Sequence, residues 1–315
     1  MNLKQLEYFV RVAELGSFSK AALLLDIAQP ALSRQVRLLE TDLRCALLQR
    51  TGRGVVLTEA GKRLFDHSIG ILQLVQQARG DLEARRDEPT GRVVVGLPPS
   101  LGRVLILPLA DRFRDTLPKA RLTVVEGLST HIIEWIASGR VDIGLVLNPE
   151  AQAAIDIQPV LDEPLCLISP SSHRPRRLAT RAETPRAETQ MPFAELPQYP
   201  LVIPERTHSI RRLIEAQAVL SGIKLNVAWE VSSVQSILDL VRTGHGNAVL
   251  TPGAVRVSGR PRAFRVRPLT EPQLFSKLCL ATSAHKPTTP LLRRVTQMLN
   301  SLVLNRVGGR SHIKS

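Results

Sequence analysis

Apolar residues recur with helical spacing through the N-terminal stretch. Leu3, Leu6, Phe9, Val10 and Ala13 form one stripe that breaks at Gly16. In "SFSKAALLL", Ser19 is the expected N-cap of a second helix, Lys20 to Leu25. The next stretch, "AQPALSRQVRLLE" (Ala28 to Glu40), predicts a third helix. At about 100° per residue, Leu32, Val36, Leu39 and Leu43 fall within roughly 60° of one another, with Pro30, Ser33, Arg34 and Arg37 on the far side. Pro30 suits an early helical position, where its missing amide has no intrahelical acceptor and its ring already fixes φ. Ala21 and Ala22 are small enough for two helices to cross closely, and Ile27 in the turn fills the gap between them. The glycines at 52 and 54, set between "LLQR" and "VVLT", predict a β-hairpin with Arg53 at its tip.

From Thr58 the pattern becomes one long helix. Leu64, Ser68, Ile71, Val75, Ala78 and Leu82 alternate at intervals of four and three, a seam that faces a constant partner and marks a dimerisation surface. The competing reading, packing on the chain's own second domain, is disfavoured by the length of the seam and its polar flanks. Pro89, Thr90 and Gly91 end the helix and form a hinge. Beyond them strand-like runs alternate with helical patterns in two similar sets: "RVVVGL", "RLTVVEG" and "DIGLVL", then "PLVIP", "LNVAWEV" and "NAVLTP". Two β-α-β-α-β halves imply two doubly wound subdomains with parallel sheets and a ligand cleft between them. The strands near 264 to 283 lack a third partner set, so the chain is expected to cross back and complete the first subdomain.

The resulting expectation is a multi-domain α/β protein. A helical head and wing occupy 1–58, a linker helix 59–88 and a hinge 89–91. A two-lobed α/β domain follows at 92–305, with subdomain I at about 92–162 and 269–305 and subdomain II at about 163–268. A tail covers 306–315.

Composition narrows the partners. At 315 residues and 43% hydrophobic content the chain has enough material for a substantial core. Three cysteines, Cys45, Cys166 and Cys279, make neither a disulfide framework nor a zinc pair, which fits a reducing cytoplasmic compartment. No run reaches the roughly 18 apolar residues of a membrane span, and Glu7, Arg11 and Glu14 interrupt any signal-peptide core. A formal charge of +14 favours a polyanionic partner, and 3% aromatic content argues for duplex DNA rather than a base-stacking platform. The arginines of "SSHRPRRLATRAETPR" and "RPRAFRVRP" read as solvated loops. An arginine on a narrow hairpin tip, Arg53, suits a minor groove. A nonspecific nucleoid protein would explain the charge but leave the cleft without a purpose.

An enzyme finds little support. There is no Gly-rich dinucleotide fingerprint, P-loop, H-E-x-x-H or G-x-S-x-G elbow, and His131, His208 and His245 are isolated. No catalytic residue, cofactor or metal site is expected. A solute-binding transport component would share the two-lobed body but would need export and would have no use for the head.

The stretch "MNLKQLEYFVRVAELGSFSKAALLLDIAQPALSRQVRLLE", followed by "LLQRTGRGVVLTEAG", resembles the LysR-type transcriptional regulators. "RVVVGLPPS", "EGLSTHIIEWIASGRVDIGLVL" and "LVRTGHGNAVLTP" resemble that family's effector domain. "IAQPALS" and "PERTHSIRRLIEAQ" are most similar to the branch around the nitrogen assimilation control regulator. The resemblance implies a winged helix-turn-helix, a dimerising linker helix and a periplasmic-binding-protein-like effector domain, assembled as a dimer or a tetramer of paired dimers. It further implies double-stranded promoter DNA, a small-molecule effector and RNA polymerase as partners. The helix from Pro30 to Leu43 becomes the recognition helix. Gln29, Pro30, Ser33, Arg34 and Arg37 stand at its DNA side, with Ser19 and Lys20 on the preceding helix and Arg50 and Arg53 on the wing. Ala28 departs from the pattern, since many relatives carry a capping serine there.

For the effector domain, Ser100 follows the first strand and Ser129 and Thr130 start the next helix, where hydroxyls and free amides suit a small anion. Ile203, Pro204, Thr207, His208 and Ser209 are expected to face them from the second subdomain, with Thr251 near the second crossover. A purely capping role for Ser129 or Ser209 competes with ligand contact.

Overall fold

A computed structural model describes residues 1–52, 54–83, 89–171, 190–286 and 288–308. Arg53, the side chain of Leu82, most of the arginine-rich loop after Ser171 and the tail from 309 lie outside the described residues, so those expectations are not addressed by it.

The head starts with α1 (Leu3–Leu15), opened by a reciprocal capping box in which Asn2 and Gln5 exchange side-chain-to-backbone bonds of 2.9 and 3.0 Å. Helix α2 spans Phe18–Leu24 and α3 spans Gln29–Leu43. The cap of α2 is Ser17, whose hydroxyl accepts from the Lys20 amide. Ser19 lies inside the helix and is exposed, because Gly16 in the left-handed region (φ 59°) ends α1 and restarts the chain two residues earlier than expected. The α3 stripe packs as its period requires: Leu32, Val36 and Leu39 are buried against Tyr8, Phe9, Val12, Ala21 and Ala22, with Ile27 in the turn beside them. Strands β1 (Leu48–Thr51) and β2 (Gly54–Leu57) form the antiparallel hairpin. The hairpin is tied to the α1–α2 turn by Val55 N–H donating to the Gly16 carbonyl at 2.9 Å. Gly54 sits over that carbonyl with φ 135°, and no Cβ fits there.

Helix α4 (Glu59–Glu83) follows. Its first half belongs to the head: Leu64, Phe65, Ile69, Ile71 and Leu72 pack on Leu6, Phe9, Val10, Leu39 and Leu47. In this packing Leu64 and Ile71 stay half-buried. Leu64, Ser68 and Ile71 are used within the chain, and Ser68 is fully buried with its hydroxyl turned onto the Leu64 carbonyl at 2.6 Å. Val75 is half-buried, whereas Leu74 and Ala78 are exposed. The helix also packs on the chain's own second domain. Gly70 lies against Ser138 and Gly139, and Arg140 pairs with Asp66 at 2.8 Å.

The second domain opens with β3 (Gly91–Leu97), α5 (Pro99–Thr116), β4 (Ala120–Glu126), α6 (Ser129–Ala137), β5 (Ile143–Leu147) and β6 (Ile155–Pro164). It continues through β7 (Cys166–Pro170), β8 (Met191–Pro192), β9 (Leu201–Ile203), α7 (Ser209–Leu220), β10 (Val227–Glu230), α8 (Val234–Arg242), β11 (Ala248–Leu250) and α9 (Pro252–Arg256). It ends with β12 (Phe264–Thr270), β13 (Phe275–Ser283) and α10 (Pro290–Arg306).

Five strands in the order β4-β3-β5-β13-β6 make the first sheet. Helices α5 and α10 share one core with it, built on Leu105, Leu109, Phe113, Val295 and Leu299. The α6 helix joins a separate core through Ile132, Ile133 and Ile136, and a side chain at Gly144 would strike Ile132. The second sheet runs β11-β7-β12-β8, with β9 and β10 a parallel pair attached by the Leu201–Asn247 bridge.

Neither sheet is purely parallel. β13 runs antiparallel to β5 and β6, and β7 runs antiparallel to β11 and β12. Of the late strands, only β13 returns to the first sheet; β12 stays in the second, so the crossing falls after Thr270. The two crossing segments are bonded to each other, Leu165 N–H donating to the Leu274 carbonyl at 2.7 Å. Among the described residues no helix is long and apolar enough to cross a membrane.

Candidate DNA-binding face and effector cleft

The polar face of α3 is presented by the burial of its apolar one. Gln29, Pro30, Arg34 and Arg37 are exposed, and Ser33 is half-buried. Arg50 of β1 reaches Ser33 Oγ at 3.5 Å, and its guanidinium carbon stands 5.4 Å from the centre of the Phe18 ring, so a wing cation sits beside the α3 face. Ser19 and Lys20 are exposed on α2. No side chain caps α3 at Ala28, so its first amides remain without a side-chain partner. Glu40, in the same quoted stretch, faces the other way. Its carboxylate accepts from the Leu47 and Leu48 amides at 2.8 and 3.1 Å and fixes the wing to α3. Sequence reading passed over Glu40 because its partners are amides created only by the fold.

Between the two subdomains lies a cleft of about 460 Å³. Ser100, Ser129 and Thr130 line one wall, and Thr207, His208 and Ser209 the other. Thr251 lines a smaller recess beneath it, shared with Ser100 and His208. Two expected residues are elsewhere: Ile203 is a fully buried core residue of β9, and Pro204 is buried with its carbonyl accepting from Arg211 at 3.4 Å. The cleft wall begins one residue later, at Glu205.

The competing capping roles are also resolved. Ser129 does not cap α6; its hydroxyl accepts from Leu147 N–H at 2.9 Å and ties the helix start to β5. The α7 cap is His208, whose Nδ1 accepts from Ile210 N–H at 3.3 Å, while Ser209 is the first helical residue. With Nδ1 accepting, the proton of a neutral ring sits on Nε2. Burial, and secondarily the charge of Arg212, pull the His208 pKa down to about 4, so the ring is neutral near pH 7.

Beside these hydroxyls, three charged groups line the cleft: Arg103, Glu205 and Arg212. Arg103 donates to Gln235 Oε1 at 2.7 Å, a bond that spans the cleft from α5 to α8. Arg212 approaches Glu150 at 3.9 Å, again across the lobes. Arg103 was detectable, since it lies three residues after Ser100 on one helix face. The starts of α5, α6, α7 and α8 all border the cleft, adding partial positive charge to the two arginines. Among the described residues no group of three or more His, Cys, Asp or Glu is placed to hold a metal.

Residues 3–62 match the bacterial regulatory helix-turn-helix proteins of the lysR family, and residues 86–303 match the LysR substrate binding domain. The chain belongs to the LysR family. It is therefore a LysR-type transcriptional regulator that joins a DNA-binding head to an effector-binding domain, and not an enzyme. Among LysR proteins it is 30% identical over 305 residues to the nitrogen assimilation regulatory protein nac of Klebsiella aerogenes, covering 96% of this chain and 95% of that one. A full-length OxyR variant from Pseudomonas aeruginosa matches with a TM-score of 0.71 at 24% identity, covering 100% of this chain and 99% of that one. CbnR in complex with its target DNA matches with a TM-score of 0.64 at 21% identity, covering 96% and 100%. At these identities the two structures show that the LysR fold extends over the full chain.

Proposed function

We propose that this LysR regulator reads promoter DNA through the exposed face of α3 and is controlled by a small anionic effector in the interlobe cleft. The α3 face carries the first half of the reading. Gln29, Ser33, Arg34 and Arg37 are held outward by a buried stripe on the opposite side, with Arg50 and the wing alongside. A helix of this kind fits the major groove, and an arginine on it reads a guanine edge bidentately or holds a phosphate. CbnR, of the same fold, has been solved on its target DNA. The chain's net charge of +14 supports the same partner.

The cleft chemistry supports an anion with a further polar group. Arg103, Arg212 and four helix starts favour a carboxylate, neutral His208 offers an Nε2–H donor, and Glu205 selects for a hydroxyl or amine on the same molecule. A small hydroxy- or amino-carboxylate satisfies all of them. Paired heads need a self-association surface. The α4 seam supplies it, with Leu64, Ile71 and Val75 half-buried and Leu74 and Ala78 exposed, in a dimer or tetramer. The regulator acts in the cytoplasm, and its output passes to RNA polymerase at the promoter.

Footprinting of the full-length protein on the DNA upstream of its own gene tests the reading. A discrete protected region, lost in Arg34→Ala with Arg37→Ala while the oligomer persists, is the expected outcome. Uniform coverage, or an unchanged footprint in the double variant, overturns it.

A further inference from the structure

Helix α6 has its two ends in different places. Ser129, Thr130 and His131 at its start line the cleft, and the turn after its last residue, Ser138–Gly139–Arg140, lies on the linker helix α4. At nine residues it is about 14 Å long, so one rigid element spans the distance. A continuous series of side-chain contacts runs along it. His131 stacks on Trp135 with ring centres 6.0 Å apart. Trp135 is pressed onto Gly127, where a side chain would stand 2.7 Å from its ring, and Gly127 is itself part of the cleft wall. The Arg140 guanidinium carbon sits 4.7 Å from the centre of a Trp135 ring, and Arg140 pairs with Asp66 of α4 at 2.8 Å.

The seat on α4 is built closely. Gly70 has no space for a methyl, which would overlap the Ser138 carbonyl, and a Cβ at Gly139 would stand 3.3 Å from Gly70 Cα. The Gln73 amide nitrogen donates to the Gly139 and Arg140 carbonyls at 2.6 and 3.2 Å in the orientation that satisfies both its ends. Lys286 holds the same turn from the other side through the Gly139 carbonyl and Asp142, both at 3.3 Å. An exposed loop making incidental contact would show neither the glycine fit nor the shared acceptors.

We infer that α6 mechanically couples the cleft to the linker helix, with Trp135 and Arg140 as positioning residues that carry an effector-induced shift of Ser129–His131 to Asp66 and Gly70. This rests on the cleft being the effector site. A ligand that draws the α6 start toward the opposite lobe moves the 138–140 turn on α4, and α4 carries the DNA-binding head. The contacts become a coupling only if the two ends share one equilibrium, and such coupling is reciprocal. Disturbing α4 must therefore be felt at the cleft with neither DNA nor effector present.

The test is hydrogen exchange on the full-length protein. Gly70→Ala, or the milder Asp66→Asn, speeds exchange of residues 66–73 and also of residues 128–133 by about five-fold or more, while α10, on the opposite face of the sheet, keeps its rate. With Trp135→Leu already in place, the additional change at 128–133 is lost. The charge exchange Asp66→Arg with Arg140→Glu restores what each single variant disturbs. His67→Ala, on the exposed face of α4, has no effect at the cleft. Faster exchange confined to α4, with 128–133 at the wild-type rate, overturns the coupling. Because neither ligand nor DNA is used, that result would leave the proposed functions of the cleft and the α3 face standing.

Discussion

Arg103 and Gln235 lie 132 positions apart in the chain and are joined by a 2.7 Å hydrogen bond across the cleft. In this state a guanidinium that borders the cleft is held by a neutral amide oxygen. A carboxylate outcompetes such an acceptor, because both partners are then ionised and the guanidinium fork can hold both oxygens at once. Arg103→Leu therefore weakens the response to effector while leaving operator binding intact. In a reporter strain challenged with hydroxy- and amino-carboxylates, the midpoint of the response rises about ten-fold or more, equivalent to about 1.4 kcal/mol. An unchanged midpoint would show that Arg103 does not touch the effector.

The imidazole of His208 is half-buried and neutral, with a pKa lowered by desolvation to about 4 from 6.5. A histidine whose folded pKa is depressed takes up its proton more readily when unfolded, so its contribution to stability is complete above about pH 6.5 and is lost as pH falls toward 4. Thermal melts across that window show the effector domain weakening with acid, and His208→Gln flattens the slope. A His208 resonance titrating near 6.5 would contradict the burial argument.

Glu40 holds the wing to α3 through the Leu47 and Leu48 amides. Glu40→Ala leaves two partly buried donors unpaired, at a cost of about 1–3 kcal/mol each at most. Urea unfolding reports the loss, and operator affinity falls with it although every arginine on α3 is retained.

Burial also governs the thiols. Cys166 and Cys279 lie inside strands, and desolvation, aided by Asp162, pushes the Cys279 thiol above its ordinary pKa. Iodoacetamide labels the half-buried Cys45 first in the folded protein and reaches the other two only on unfolding, as mass spectrometry of the labelled peptides will show.

What the sequence made legible follows from how locally each feature is encoded. The α3 face needed only the 3.6-residue period: Leu32, Val36 and Leu39 went inward and Arg34 and Arg37 outward. Ser17 was passed over for Ser19 because both are plausible caps and only the left-handed turn at Gly16 decides between them. Strands β6 and β7 went unnoticed since prolines at 159, 164 and 170 break their pattern, and β6 tolerates Pro159 as an edge strand. The insertion of β13 between β5 and β6 pairs segments more than a hundred residues apart, which no local period records. No local pattern singles out Gly70, whose purpose emerges only when Ser138 and Gly139 arrive from the second domain.

The central claim is that α3 reads base sequence. Selection of binding sites from random duplex DNA tests it most directly. An enriched, two-fold symmetric motif is the expected result, with half-sites about 34 Å apart or a multiple of that. Arg34→Ala or Arg37→Ala relaxes the preference at one position of each half-site, worth about 1–3 kcal/mol where the arginine reads a guanine. Binding that enriches no motif, or a motif unchanged when both arginines are replaced, would contradict it.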